Sequence, residues 1–224
     1  MNNSALPYWL TFAVLVAGLY GGFKWYQVER AQPVRVEAGK INLPPLEEFE
    51  LTASDGKHFR SREMKGKVWV VSFFFSTCAG TCAKHNANIK YMTSLDEIAE
   101  VDWVSVTVDP VTDTLPVLAE YAERMNAEPE QWMFCRGELD YVKRVADDIL
   151  KLGGVTYKSH NDYAVIIDKH GEIADMFDSL SSQACDRAVE TLKKCLAEEY
   201  VPDVGEPASA HRAAPESKAA AEAA

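Results

Sequence analysis

The chain has 224 residues with a formal net charge of −11 and no long basic block, so the positive footprint that nucleic-acid binding requires is missing. Apolar and charged fractions of 47% and 25% are those of a globular protein, and the length suits one ordinary domain with appendages.

The first element is a charge-free stretch over residues 2–23, with "LPYWLTFAVLVAGLYGGF" at its heart. About 20 helical residues cross a bilayer. Tyr8 and Trp9 stand at one end and Trp25 and Tyr26 at the other, where aromatics favour the membrane interfaces. A cleaved signal peptide would carry a basic start and a small-x-small cleavage site. Here no Lys or Arg precedes the span, and Val16-Ala17-Gly18 is a poor match. Residues 1–26 therefore read as an uncleaved transmembrane anchor, with residues 7–26 in the membrane. Lys24, Arg30, Arg35 and Lys40 all follow the span, and the positive-inside rule would put the domain behind it in the cytoplasm.

Residues 27–44, with Pro33 and Pro44, read as a stalk. "FELTASDGKHF" alternates about Asp55-Gly56 as a hairpin does. "KVWVVSFFF" is a continuous apolar run of strand length, suited to a strand buried on both faces. A helix is expected within residues 79–98, where Ile89, Met92, Leu95 and Ile98 recur at helical spacing. "VDWVSVTVD" reads as a strand and "TLPVLAEYAERMN" as a helix with proline in its first turn. "WMFCRG" is a short strand, and "ELDYVKRVADDILKL" a helix ended by Gly153-Gly154. "YAVIID" and "EIADMF" flank the turn "DKHG", and a last helix runs from about Ser182 to Tyr200. Residues 201–224 are low-complexity and read as a disordered tail. Strands alternating with helices, then a terminal hairpin, predict an α/β domain with a mixed sheet.

The chemistry gathers in "FFFSTCAGTCAKH", residues 73–85, where Cys78 and Cys82 follow the first buried strand. Open α/β sheets collect their sites at the carboxyl ends of strands. Residues four apart on a helix share a face, with Cα atoms about 6 Å apart, within the range a disulfide tolerates. A helix N-terminus favours thiolate, which is both the nucleophile of disulfide exchange and a ligand for soft metals. The spacing supports a redox pair and a metal site equally, and two inert core thiols are the bland reading. Two thiolates suit Cu(I), and an imidazole would complete a three-coordinate site. His58 and His170 sit at polar turns and His211 lies in the tail. His85 shares the cysteines' helical face, but seven residues of helix rise roughly 10 Å, so it could join Cys82 and hardly Cys78. His160, in "YKSHNDYAVIID", opens a loop before a core strand, where a lone histidine is usually solvated. Cys135 reads as a core residue of its strand. Cys185 and Cys195 stand about 15 Å apart on one helix, too far to bridge each other.

The order CxxxC, then "TVDPVTDT" (residues 107–114), then "SHNDYAVIIDKHG" (residues 159–171) resembles the Sco/SenC family across roughly residues 45–200. The resemblance implies a thioredoxin-like fold behind the N-terminal transmembrane helix, with the domain at residues 45–200. It implies copper, as Cu(I) or Cu(II), held by Cys78, Cys82 and His160, with Asp109 beside the metal loop as a supporting residue rather than a ligand. His160 stands eight residues before Asp168, as the pattern requires. The implied task is delivery of copper to, or maturation of, the Cu(A) site of cytochrome c oxidase. Its partners would be the subunit that bears that site and other copper carriers or thiol reductants. The domain would face the periplasm or a mitochondrial intermembrane space, against the charge rule. The same two cysteines would serve a thiol–disulfide reductase as its catalytic pair, and a redox or copper sensor is a third reading. One departure stands out: Ala79 and Ala83 follow the cysteines where the family usually carries proline.

Overall fold

A computed structural model describes residues 46–78 and 80–202, together with Gly18 and Tyr20; the Cys82 side chain lies outside the described set. The expected anchor, apart from those two residues, the stalk, Ala79 and nearly all of the tail also lie outside it. Among the described residues no helix is long and apolar enough to cross a membrane. Met1–Gly39 and Lys40–Ala224 form separate compact units, and the second holds the domain described below.

The hairpin at Asp55-Gly56 forms as the sequence predicts. Strands β1 (Glu50–Ala53) and β2 (His58–Arg60) pair antiparallel, and Gly56 takes a φ of 83° at the turn. The Asp55 carboxylate accepts the Lys57 backbone N–H at 3.0 Å across it. Strands β3 (Trp69–Phe74), β4 (Asp102–Thr107) and β5 (Trp132–Arg136) then run parallel to one another. A terminal hairpin, β6 (Tyr163–Ile167) and β7 (Ile173–Asp178), adds antiparallel to β3. The seven strands lie in the order β2-β1-β5-β4-β3-β6-β7, the mixed sheet expected.

Every residue of β3 and β4 is buried. Their unbroken apolar runs follow from cover on both faces. Trp69, Val71 and Phe73 point into one core with Phe49, Phe59, Val142 and Val145. Val70 and Phe74 point into the other with Ile89, Met92, Leu118 and Leu192. Four helices supply the cover: α1 (Cys82–Thr93), α2 (Leu115–Met125), α3 (Leu139–Arg144) and α4 (Ser182–Ala197).

Two helices differ from expectation at their ends. The first starts at Cys82 and stops at Thr93, and the apolar spacing continues through a separate 3-10 turn, Asp96–Ile98. Thr93 and Ser94 hydroxyls donate to the Lys90 and Tyr91 carbonyls at 2.8 and 2.7 Å, an alternative to the helical ladder. Extended Leu95 then breaks the helix while Ile98 still reaches the core. The third helix widens into a π turn over Val145–Ile149 and ends before the two glycines, because Lys151 takes the left-handed conformation with a φ of 58°. A bond of 2.8 Å from Leu152 N–H to the Ala146 carbonyl closes that wide turn, and it buries Ile149, Leu150 and Leu152.

Candidate functional site

At the carboxyl ends of β3 and β4 three loops meet. Residues 75–81 leave β3 and carry Cys78, which is half-buried and disulfide-bonded. Its backbone N–H turns back to the Phe75 carbonyl at 3.2 Å. Cys78 therefore lies in a turn ahead of α1 and not on it, and α1 begins only at Cys82. The expectation of Cys78 and Cys82 on one helical face is corrected accordingly, and with it the 10 Å rise that separated Cys78 from His85.

The second loop follows β4. Asp113, fully buried, accepts the Ser76 backbone N–H at 3.0 Å and the hydroxyls of Ser76 and Thr107. One carboxylate thus fixes the chain two residues before Cys78. Asp109, also fully buried, forms an ion pair with Lys158 at 3.2 Å and accepts the Thr112 N–H at 3.3 Å. Burial alone would raise its carboxyl pKa, but the Thr112 hydrogen bonds and the Lys158 ammonium outweigh that and hold it below the usual range. Asp109 so ties the β4 loop to the third loop, two residues before His160.

That third loop turns tightly between Thr156 and Ser159, whose backbones exchange bonds of 2.8 and 3.0 Å, with Lys158 at a φ of 53°. Asn161 locks its far side, donating to the Leu152 and Gly153 carbonyls at 2.6 and 2.8 Å and accepting the Tyr163 N–H at 3.1 Å. His160 is half-buried, its ring edge-on to Phe75 at 6.0 Å. Its Nδ1 meets the Asn161 carbonyl at 2.6 Å. A carbonyl only accepts, so Nδ1 carries the proton and Nε2 the lone pair. Burial pushes the His160 pKa down, which favours this neutral form.

His85, three residues into α1, is fully buried with its ring 5.8 Å from that of His160. Its pKa is pushed down to about 4, first by burial and then by the neighbouring His160. Its Nδ1 bonds Ser179 Oγ. Sequence spacing gave no hint of this neighbour or of Ser179, since the contact spans 94 residues.

The remaining cysteines behave as expected. Cys135, Cys185 and Cys195 are free and buried. Burial raises all three thiols, that of Cys195 to about 11, so they are poor nucleophiles. His58 and His170 are exposed. Among the described residues no three His, Cys, Asp or Glu side chains already form a metal-holding group, with the Cys82 side chain outside that set and Cys78 in a disulfide.

The SCO1/SenC family model matches residues 43–197. A SCO2-like protein of Rickettsia typhi is 26% identical over 157 residues, which cover 64% of this chain and 74% of the relative. A SCO1 homologue of Bacillus subtilis is 30% identical over 97 residues, 41% of this chain and 49% of the relative. The crystal structure of a SCO1/SenC family lipoprotein from Bacillus anthracis superposes with a TM-score of 0.63 at 24% identity, over 73% of this chain and 99% of that one. Arabidopsis thaliana ScoI with copper bound gives 0.56 at 20% identity, over 68% and 98%. BsSco, a member of the Sco family of cytochrome c oxidase assembly proteins in which a disulfide switch is identified, gives 0.63 at 20% identity, over 71% and 96%. The domain has the thioredoxin-like α/β fold that these relatives share.

Proposed function

The chain belongs to the SCO1/SenC family, and we propose that it takes up copper at Cys78, Cys82 and His160 and delivers it to the Cu(A) site of a cytochrome c oxidase. The observation that carries this reading is the placement of His160. Its ring stands between Phe75, which leads into Cys78, and His85, which follows Cys82 on α1. His160, 78 positions from Cys82 in sequence, is held beside Phe75 and His85 by a loop that Asp109, Lys158 and Asn161 fix, which supports the assignment. The donor chemistry fits copper as cargo: two thiolates with one imidazole form a soft set that suits Cu(I). The His160 tautomer fits as well, because a ligating histidine characteristically donates its other ring N–H to a carbonyl or carboxylate. Copper-bound relatives and an oxidase-assembly relative support the same role.

In the disulfide form the Cys78 sulfur is not a thiolate. Loading requires a thiol reductant, which supplies two electrons and two protons to the disulfide and is itself oxidised. This state also favours a second reading, a thiol–disulfide reductase. There the reduced pair would pass its two electrons and two protons to a disulfide of the oxidase subunit and return to the oxidised form.

Two measurements test the carrier reading. The full chain in detergent, reduced anaerobically, is expected to bind one Cu(I). Cys78→Ala and Cys82→Ala should abolish tight binding, and His160→Ala should weaken it by about ten-fold or more. In cells, His160→Ala should leave the oxidase short of Cu(A), with partial rescue by added copper. Full oxidase activity of that variant at limiting copper would overturn the carrier and favour the reductase, which needs no imidazole ligand.

A further inference from the structure

We propose that His85 is a second nitrogen ligand of the metal at this site, so that the loaded centre has two imidazoles beside its two thiolates. The inference rests on the metal-binding reading above and adds a residue from this chain's own geometry.

The ring of His85 is fully buried, yet its Nε2 has no hydrogen-bond partner. Buried polar atoms are nearly always paired, so an orphaned imidazole nitrogen calls for an occupant. The proton position says what kind. Ser179 Oγ has one hydrogen, which goes to the Asp162 carbonyl at 2.8 Å because a carbonyl can only accept. Toward His85 the same oxygen must accept, so Nδ1 carries the proton. Nε2 is left with a lone pair, which seeks a donor or a metal ion. The Ser179 backbone is held on both sides as well. Its N–H bonds the Asp162 carbonyl at 2.9 Å, and its own carbonyl receives Asn88 Nδ2 at 2.6 Å. Next along α1, the Asn86 amide is engaged with the Tyr121 hydroxyl at 2.6 Å.

A pinned Nδ1–H opposite an unpaired Nε2 is the arrangement of a histidine set up to ligate. His160 shares the pinned Nδ1–H, which its ring donates to the Asn161 carbonyl. The two rings stand 5.8 Å apart and are inclined at 67°. Imidazoles that share one ion through nitrogens at about 2.0–2.1 Å have ring centres roughly 5–6 Å apart. The pair thus has the right separation, and His85 lies one helical turn after Cys82 on the same side of α1. A second imidazole makes the donor set harder, so the site should hold Cu(II) as well as Cu(I).

The test is a count of imidazoles by pulsed electron paramagnetic resonance on the reduced full chain in detergent, loaded with Cu(II). The wild-type protein should show two coordinated imidazoles, with combination lines in the echo modulation. His85→Gln and His160→Ala should each show one, and Cu(II) affinity in a competition titration should fall about ten-fold in His85→Gln. One imidazole in the wild type, kept in His85→Gln and lost in His160→Ala, would overturn this inference and leave the carrier reading intact. Copper binding that survives both Cys78→Ala and His160→Ala would overturn the two together. The wild-type spectrum decides the matter even if His85→Gln fails to fold.

Discussion

Asp113 shows how a single buried carboxylate can set a reactive loop. Its two oxygens receive three donors, two from Ser76 and one from Thr107, at the end of β4. In Asp113→Ala those donors lose their partner, and one buried unsatisfied group alone costs about 1–3 kcal/mol. Urea unfolding should show a loss in at least that range. The change should reach the chemistry too, since Ser76 is two residues from Cys78: alkylation of the reduced Cys78 thiol should change rate and the disulfide should shift in potential. An unaltered alkylation rate and potential, with stability alone reduced, would confine Asp113 to the fold. Asn at this position is no remedy, because its amide would turn one acceptor into a donor facing donors.

At the scale of elements, what the sequence shows and hides follows from how local each cause is. Strands β3 and β4 were legible because burial on both faces leaves an unbroken apolar run. The β1–β2 hairpin was legible because Asp55-Gly56 is a turn with its own chemistry. Helix ends were not, since hydroxyl back-bonding at Thr93 and Ser94 and the left-handed Lys151 compete locally with a periodicity that continues past them. His160 drew notice through family resemblance, whereas its meeting with His85 arises only when the β6–β7 hairpin packs beside α1. The corner from β7 into α4 makes that meeting. It carries Ser179 on His85 and then Ser181, whose hydroxyl accepts the Ala184 N–H at 3.3 Å as an N-cap. Ser181→Ala should destabilise the domain by about 1 kcal/mol, seen as a lower urea midpoint with unchanged slope, and Ser181→Asp should recover it. A midpoint that does not move would mean the cap contributes nothing to holding α4 on the sheet.

For the whole molecule, the expected anchor would let the domain face either side of a membrane, and the distribution of thiols offers a way to decide between them. Cys135, Cys185 and Cys195 are buried with raised pKa values, so a folded, reduced chain should react with a bulky maleimide only at the loop of Cys78 and Cys82. The charge-free span over residues 2–23 predicts that the full chain stays with the membrane after carbonate extraction. The basic residues after that span argue for the cytoplasm, while a disulfide at Cys78 is what an oxidising compartment would maintain. We expect the second consideration to prevail. Intact cells treated with a membrane-impermeant phosphine and then a membrane-impermeant maleimide should label the wild-type chain if their outer barrier is first made permeable. The variant carrying both Cys78→Ser and Cys82→Ser should stay dark, which proves that the signal comes from the site. Labelling of the wild type only after the inner membrane is broken would place the domain in the cytoplasm, and would count against copper delivery to an oxidase from the periplasmic side.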